Sequence, residues 1–83
     1  MVNVHEKYFT TFDIFLGSTI LTLGFRIEAL NRQNKQKVEF YVLREEGLDA
    51  LVQKYWAREL LVEPQAFAAN LKNLKNRIYS DQP

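Results

Sequence analysis

The side chains best suited to meeting a charged polymer lie near the C-terminus. Lys72, Asn73, Lys75, Asn76 and Arg77 follow one another closely, Asn70 precedes them, and no acid falls between Glu63 and Asp81. Lysine and arginine neutralise phosphates, while asparagine can pair with an adenine edge. Asparagine is a poor helix former, yet Asn70, Asn73 and Asn76 recur at a spacing that makes one helical ridge. A second basic cluster is Arg32, Lys35 and Lys37, in a stretch without acids from Ala29 to Val38. Between the two clusters, Glu39 to Glu63 holds six acids against Arg44, Lys54 and Arg58. A basic patch therefore exists only if the fold joins the two clusters. The plainer alternative is a solvated face whose terminal cations complement the helix dipole. No helix-turn-helix or RNP motif accompanies the basic residues.

Other chemistry finds little support. The single histidine, His5, has no HxxxH, HExxH or acid cluster to orient it as a base or ligand. Ser18 lies in an apolar stretch without a nucleophile elbow, so its hydroxyl is expected to bond its own helix backbone. Gly17, Gly24 and Gly47 are isolated, which leaves no phosphate-cradling loop. Glu45, Glu46 and Asp49 could form a carboxylate pair, but they suit the start of a helix, where its dipole favours acids. There is no cysteine, hence no thiolate metal site and no disulfide framework. The expectation is a chain that is not an enzyme and needs no cofactor or metal.

The aromatic residues form the other candidate surface. Tyr55-Trp56 places two rings side by side, with Tyr55 expected in the core and Trp56 at its edge, where an exposed Trp would serve as an interface anchor. Phe15 and Tyr41 are further interface candidates. Tyr79 falls roughly in phase with Lys72 and Lys75, where it could stack on a base or close the end of the core.

These residues need elements to position them. Tyr8 to Phe12 reads as a first strand. A helix follows from about Asp13 to Leu23, with Thr10 or Thr11 as N-cap, Asp13 in its first turn and Gly24 at C′. Apolar side chains surround this helix, and Gly17 suggests a close approach by another element. Phe25 to Leu30 alternates, with Phe25, Ile27 and Ala29 on one face. Val38, Phe40 and Val42 alternate likewise, so the two segments form a hairpin across Asn31–Gln36. Leu48, Leu51, Val52 and Tyr55 make a helical stripe. Leu60 and Val62 could add a short edge strand. Phe67, Leu71, Leu74 and Ile78 make a narrow docking stripe on a last helix from about Gln65 to Tyr79, with Pro64 admissible in its first turn.

The expected fold is α+β: a small antiparallel sheet of about three strands, centred on the hairpin and packed on one face by helices, in the order β-α-β-β-α-(β)-α. At 83 residues and a formal net charge of +1, residues 1–83 read as one small domain, with an ordered core of about 7–79 and mobile tails. The longest apolar run, Ile14 to Leu23, is too short and polar to span a bilayer. Met1 to Lys7 lacks the apolar core of a signal peptide. A cytoplasmic location without membrane association fits these features.

The chain resembles an uncharacterised family of small bacterial and phage proteins, a domain of unknown function. The resemblance rests on Tyr8-Phe9-x-Thr11-x-Asp13, Gly24-Phe25, Val38-x-Phe40 and Tyr55-Trp56. It continues through Leu61-Val62-Glu63-Pro64-x-x-Phe67 and Leu71-Lys72-x-Leu74-Lys75-x-Arg77-Ile78-Tyr79. Glu63 stands where the family more usually has Asp. The resemblance implies a standalone small domain and brings no activity, cofactor or substrate. Two functions follow as expectations. The first is a non-enzymatic module that binds a protein partner or itself, as in a homodimer. The alternative is a small nucleic-acid binder using the basic loop and the basic face of the last helix.

Overall fold

A computed structural model describes residues 4–34 and 36–80, and for 4, 5 and 80 the backbone alone. The chain runs α1 (Val4–Lys7), β1 (Tyr8–Thr11), α2 (Ile14–Thr22), β2 (Ile27–Asn31), β3 (Glu39–Leu43), α3 (Leu48–Trp56) and α4 (Pro64–Ser80). The three strands form one antiparallel sheet in the order β1-β3-β2. The hairpin partner β3 is thus the central strand, and the α+β architecture is the expected one. The molecule is a slab of 37 × 36 × 18 Å, thick enough for one sheet and one layer of helices.

Alternation along β3 decides which face is covered. Phe40 and Val42 are buried, while Glu39, Tyr41 and Leu43 point to the other face. They join Leu16, Ile20, Ile27, Leu48, Leu51 and Leu74 in a single apolar core. In β2 the expected alternation holds only at its start. A bulge between Ile27 and Ala29 adds one residue, so Leu30 rather than Ala29 faces the core and pairs with Phe40. One inserted residue flips every side chain beyond it.

Helix α2 begins one residue later than expected, with Asp13 itself as N-cap. Its carboxylate accepts from the Phe15 and Leu16 amides at 2.9 and 3.2 Å, and Thr11 Oγ1 accepts from the Asp13 amide. Asp outranks Thr as a cap because it brings charge to the positive end of the helix. Gly24 follows the helix at φ 96°, a conformation that disfavours any side chain. Gly17 marks the expected close approach: a Cβ there would stand 3.2 Å from Leu74 Cδ2 and 3.6 Å from Phe40 Cδ2. α2 therefore packs closely against both the sheet and α4. Ser18, Thr19 and Thr22 each donate to the carbonyl four residues back, at 2.7–2.8 Å, which satisfies the buried hydroxyls of Ser18 and Thr19 and the half-buried one of Thr22.

Two further expectations need correction. Leu60 and Val62 form no strand; Leu60 packs on the core while Leu61 is 94% exposed. Glu45 and Glu46 precede α3 rather than entering it, leaving Asp49 as the acid of its first turn. A single helical turn, α1, precedes β1, and α4 ends at Ser80. The rest of the expected C-terminal tail, 81–83, lies outside the described residues.

Candidate binding surfaces

Helix α4 docks as its stripe demands. Leu74 is buried, and Phe67, Leu71 and Ile78 are half-buried. Asn70 belongs to this docking face too, donating to Thr22 Oγ1 of α2 at 3.0 Å. Lys72, Asn73, Lys75, Asn76 and Arg77 are all exposed. At roughly 100° per residue, Lys72, Lys75, Asn76 and Tyr79 share one flank of the helix, whereas Asn73 and Arg77 fall on the other. The basic arc is thus split between two flanks.

The two basic segments do meet, at one point. The Arg32 guanidinium donates to the carbonyls of Ile78 and Arg77, at 2.7 and 3.0 Å. A cation on the last carbonyls of a helix satisfies groups that have no partner within the helix and opposes the negative end of its dipole. Arg32 therefore ties the β2–β3 loop to the end of α4. Lys37 is exposed on the same loop, and Lys35 lies outside the described residues. The loop bends through two side-chain turns: Asn31 Oδ1 accepts from the Gln33 amide at 2.9 Å, and Asn34 Oδ1 from the Gln36 amide at 2.8 Å.

Where loop and helix meet they enclose an open cleft of about 570 Å³. Its apolar floor includes Val38, Phe40 and Ile78; its rim carries Asn34, Gln36, Lys37, Phe12 and Tyr79, and among the described residues no carboxylate lines it. Phe12 is 47% and Tyr79 73% exposed. No local pattern marks this cleft in sequence, because its walls come from three separated segments.

The aromatic candidates divide between two faces. Phe15 is 54% and Trp56 63% exposed, both on the helical layer. They are linked through Asp13, whose Oδ1 accepts from the Phe15 amide while Oδ2 lies 3.5 Å from the Tyr55 hydroxyl. The Tyr55 and Trp56 rings meet edge to face at 5.0 Å. Burial, with the nearby Asp13 charge and its hydrogen bond, raises the Tyr55 pKa. Tyr41 lies on the opposite, open face of the sheet, edge-on to Tyr8 at 5.6 Å. The Tyr8 hydroxyl donates to Glu28 Oε1 at 3.0 Å, and Asn31 Nδ2 donates to Glu39 Oε1 at 3.3 Å. Tyr41 is therefore part of a polar, aromatic sheet face distant from Phe15 and Trp56.

No group of acids, histidines or cysteines able to hold a metal ion occurs among the described residues. His5 lies in α1, and its side chain is outside the described set. Asp49, one of the three acids weighed as a carboxylate pair, is ion-paired with Arg44. Among the described residues no helix is long and apolar enough to cross a membrane.

Residues 6–80 match the family model described as Domain of unknown function (DUF5659). No curated protein and no solved structure matches the chain. With nearly its whole length matched, the chain belongs to the DUF5659 family, a domain to which no function is assigned.

Proposed function

We propose that this domain is a non-enzymatic binding module that engages a protein partner, a second copy of itself included, through the surface around Phe15 and Trp56. The observation that carries this reading is Trp56. An indole 63% exposed on a small domain, braced edge-on by Tyr55, is a rigid apolar projection that the described residues leave mostly uncovered. Tryptophan in that setting dominates interface energetics, since it buries a large area at low entropic cost. Phe15 extends the apolar area across the start of α2. Light scattering and tryptophan emission across a concentration series provide the test for self-association. A dimer should appear with a blue-shifted indole, and Trp56→Ala should return it to monomer with unchanged thermal stability. A monomer whose indole stays solvated at every concentration removes self-association and leaves a different protein as the partner.

A second reading is favoured by one observation, the Arg32 clasp. It brings the loop of Lys37 against the end of α4, so basic residues distant in sequence share a neighbourhood. On that reading the domain binds nucleic acid, with affinity that falls as salt rises. Cytoplasmic residence accords with either use.

A further inference from the structure

We infer that the cleft between the β2–β3 loop and the end of α4 is a seat for a nucleotide of a single-stranded nucleic acid, its base on Tyr79 and its phosphate toward Lys37. The inference deepens the nucleic-acid reading and rests on it.

The cleft has the size and make-up of a small-ligand site. About 570 Å³ lies within the range of ligand clefts, and an apolar floor with a few polar groups at the rim is their usual composition. What separates it from a general apolar hollow is its rim. Phe12 and Tyr79 supply two rings, the first about half exposed and the second mostly exposed among the described residues. An exposed ring accepts a base by stacking, whatever the base, because each base has a π-face. Asn34 and Gln36 add amides, which can both donate to and accept from base edges. Lys37 supplies the cation, and among the described residues the lining carries no acid to oppose a phosphate.

The electrostatics of the helix end require attention, since the C-terminus of α4 would repel an anion. Arg32 answers this by donating to the Ile78 and Arg77 carbonyls. The cleft wall is thereby neutralised where it would otherwise be negative, and the phosphate is directed to the loop side, where Lys37 stands.

A strand rather than a free nucleotide is the occupant the geometry favours. The cleft is open to solvent, and Tyr79 is followed along the same flank of α4 by Lys75 one turn back and Lys72 two turns back. Both lysines are exposed. Their spacing continues a track for further phosphates beyond the seated base. A duplex keeps its bases stacked inside and offers none to Tyr79, which distinguishes this inference from general attraction to phosphates.

Anisotropy titrations at low salt provide the test, using a labelled oligothymidylate, the same strand in a duplex, and thymidine monophosphate as competitor. The single strand should bind more tightly than the duplex, and the mononucleotide should compete poorly. Tyr79→Ala should weaken single-strand binding roughly five- to hundredfold, and Tyr79→Phe should retain it. Lys37→Ala and Lys75→Ala should each weaken binding and flatten its salt dependence. Tyr79 is exposed, so circular dichroism should show these variants folded. If the protein binds no nucleic acid, both the second reading and this inference fall. If it binds a duplex as well as a single strand, or if Tyr79→Ala binds as well as the parent, the inference falls alone. A mononucleotide that competes as well as the strand overturns the strand assignment.

Discussion

The two ends of α4 are closed in different ways. At its N-terminus the chain closes the helix with its nearest neighbours. Pro64 opens the helix, where its missing N–H costs nothing, and the Glu63 carboxylate accepts from the amides of Gln65 and Ala66 at 3.0 and 2.8 Å. At its C-terminus the closing group is Arg32, which stands 46 positions before the Ile78 carbonyl it binds. The first device forms whenever the local sequence turns helical. The second exists only once the sheet has formed and the loop is in place, so it couples the helix to the tertiary fold. Local caps make a helix easier to form, whereas distant caps make it belong to one particular structure.

Between its ends α4 is held by its apolar stripe, and the comparison has meaning only if that stripe dominates. Leu74 is 1% exposed and meets α2 at Gly17. Leu74→Ala should destabilise by roughly 2–5 kcal/mol, whereas the exposed neighbour Asn73→Ala should change stability little. Chemical denaturation of both variants decides the point. Equal effects would mean that the ends, not the stripe, hold the helix.

The distant cap comes next in size. Arg32→Met keeps an apolar stem but loses both bonds to the α4 carbonyls. Bonds to charged groups contribute about 1.5–3 kcal/mol, and partial exposure reduces this to about 1–2 kcal/mol. The loss should be accompanied by faster amide exchange in the last turn of α4 and in the β2–β3 loop together. Faster exchange in only one of the two segments would show that Arg32 does not couple them.

The same division separates what was legible in the sequence from what was not. Period-two spacing placed Phe40 and Val42 in the core, and four-three-four spacing placed Phe67, Leu71, Leu74 and Ile78 on the docking face, since both patterns are consequences of local geometry. Gly17 announced a close approach because a missing Cβ is informative by itself. The β2 bulge was hidden, since nothing local distinguishes an inserted residue from a regular one, and it moved Leu30 to the core. Asp13 is the cap rather than a first-turn residue, a shift of one position that propensity does not resolve. The cleft could not be read at all. Phe12, Lys37 and Tyr79 meet only through the sheet order and the Arg32 clasp, and neither leaves a pattern along the chain. Tyr41 and Trp56 read alike as interface candidates, and the sheet assigns them to opposite faces.

The smallest effect belongs to the local cap, and pH isolates it. The two backbone amides that donate to Glu63 hold its carboxyl below the ordinary glutamate value, since they bond the charged form better than the neutral one. A carboxylate whose pKa is lower in the folded chain contributes stability above its unfolded value, and that contribution disappears as pH falls through the folded value. Glu63→Gln keeps an acceptor oxygen but removes the charge. The variant should therefore be slightly less stable than the parent at neutral pH, with a constant gap down to about the ordinary glutamate value near pH 4.3. Below it the gap should narrow and close as the parent's own carboxyl becomes neutral. Denaturation midpoints across an acid series measure this directly. Added salt should shrink the neutral-pH gap as well, because Glu63 is fully exposed and its attraction to the helix dipole is screened. A gap that persists unchanged in acid would assign the cap to the shape of the side chain rather than its charge. The N-terminus of α4 would then rest on Pro64 and backbone geometry, and its contrast with the Arg32 end would sharpen to one of neutral against charged closure.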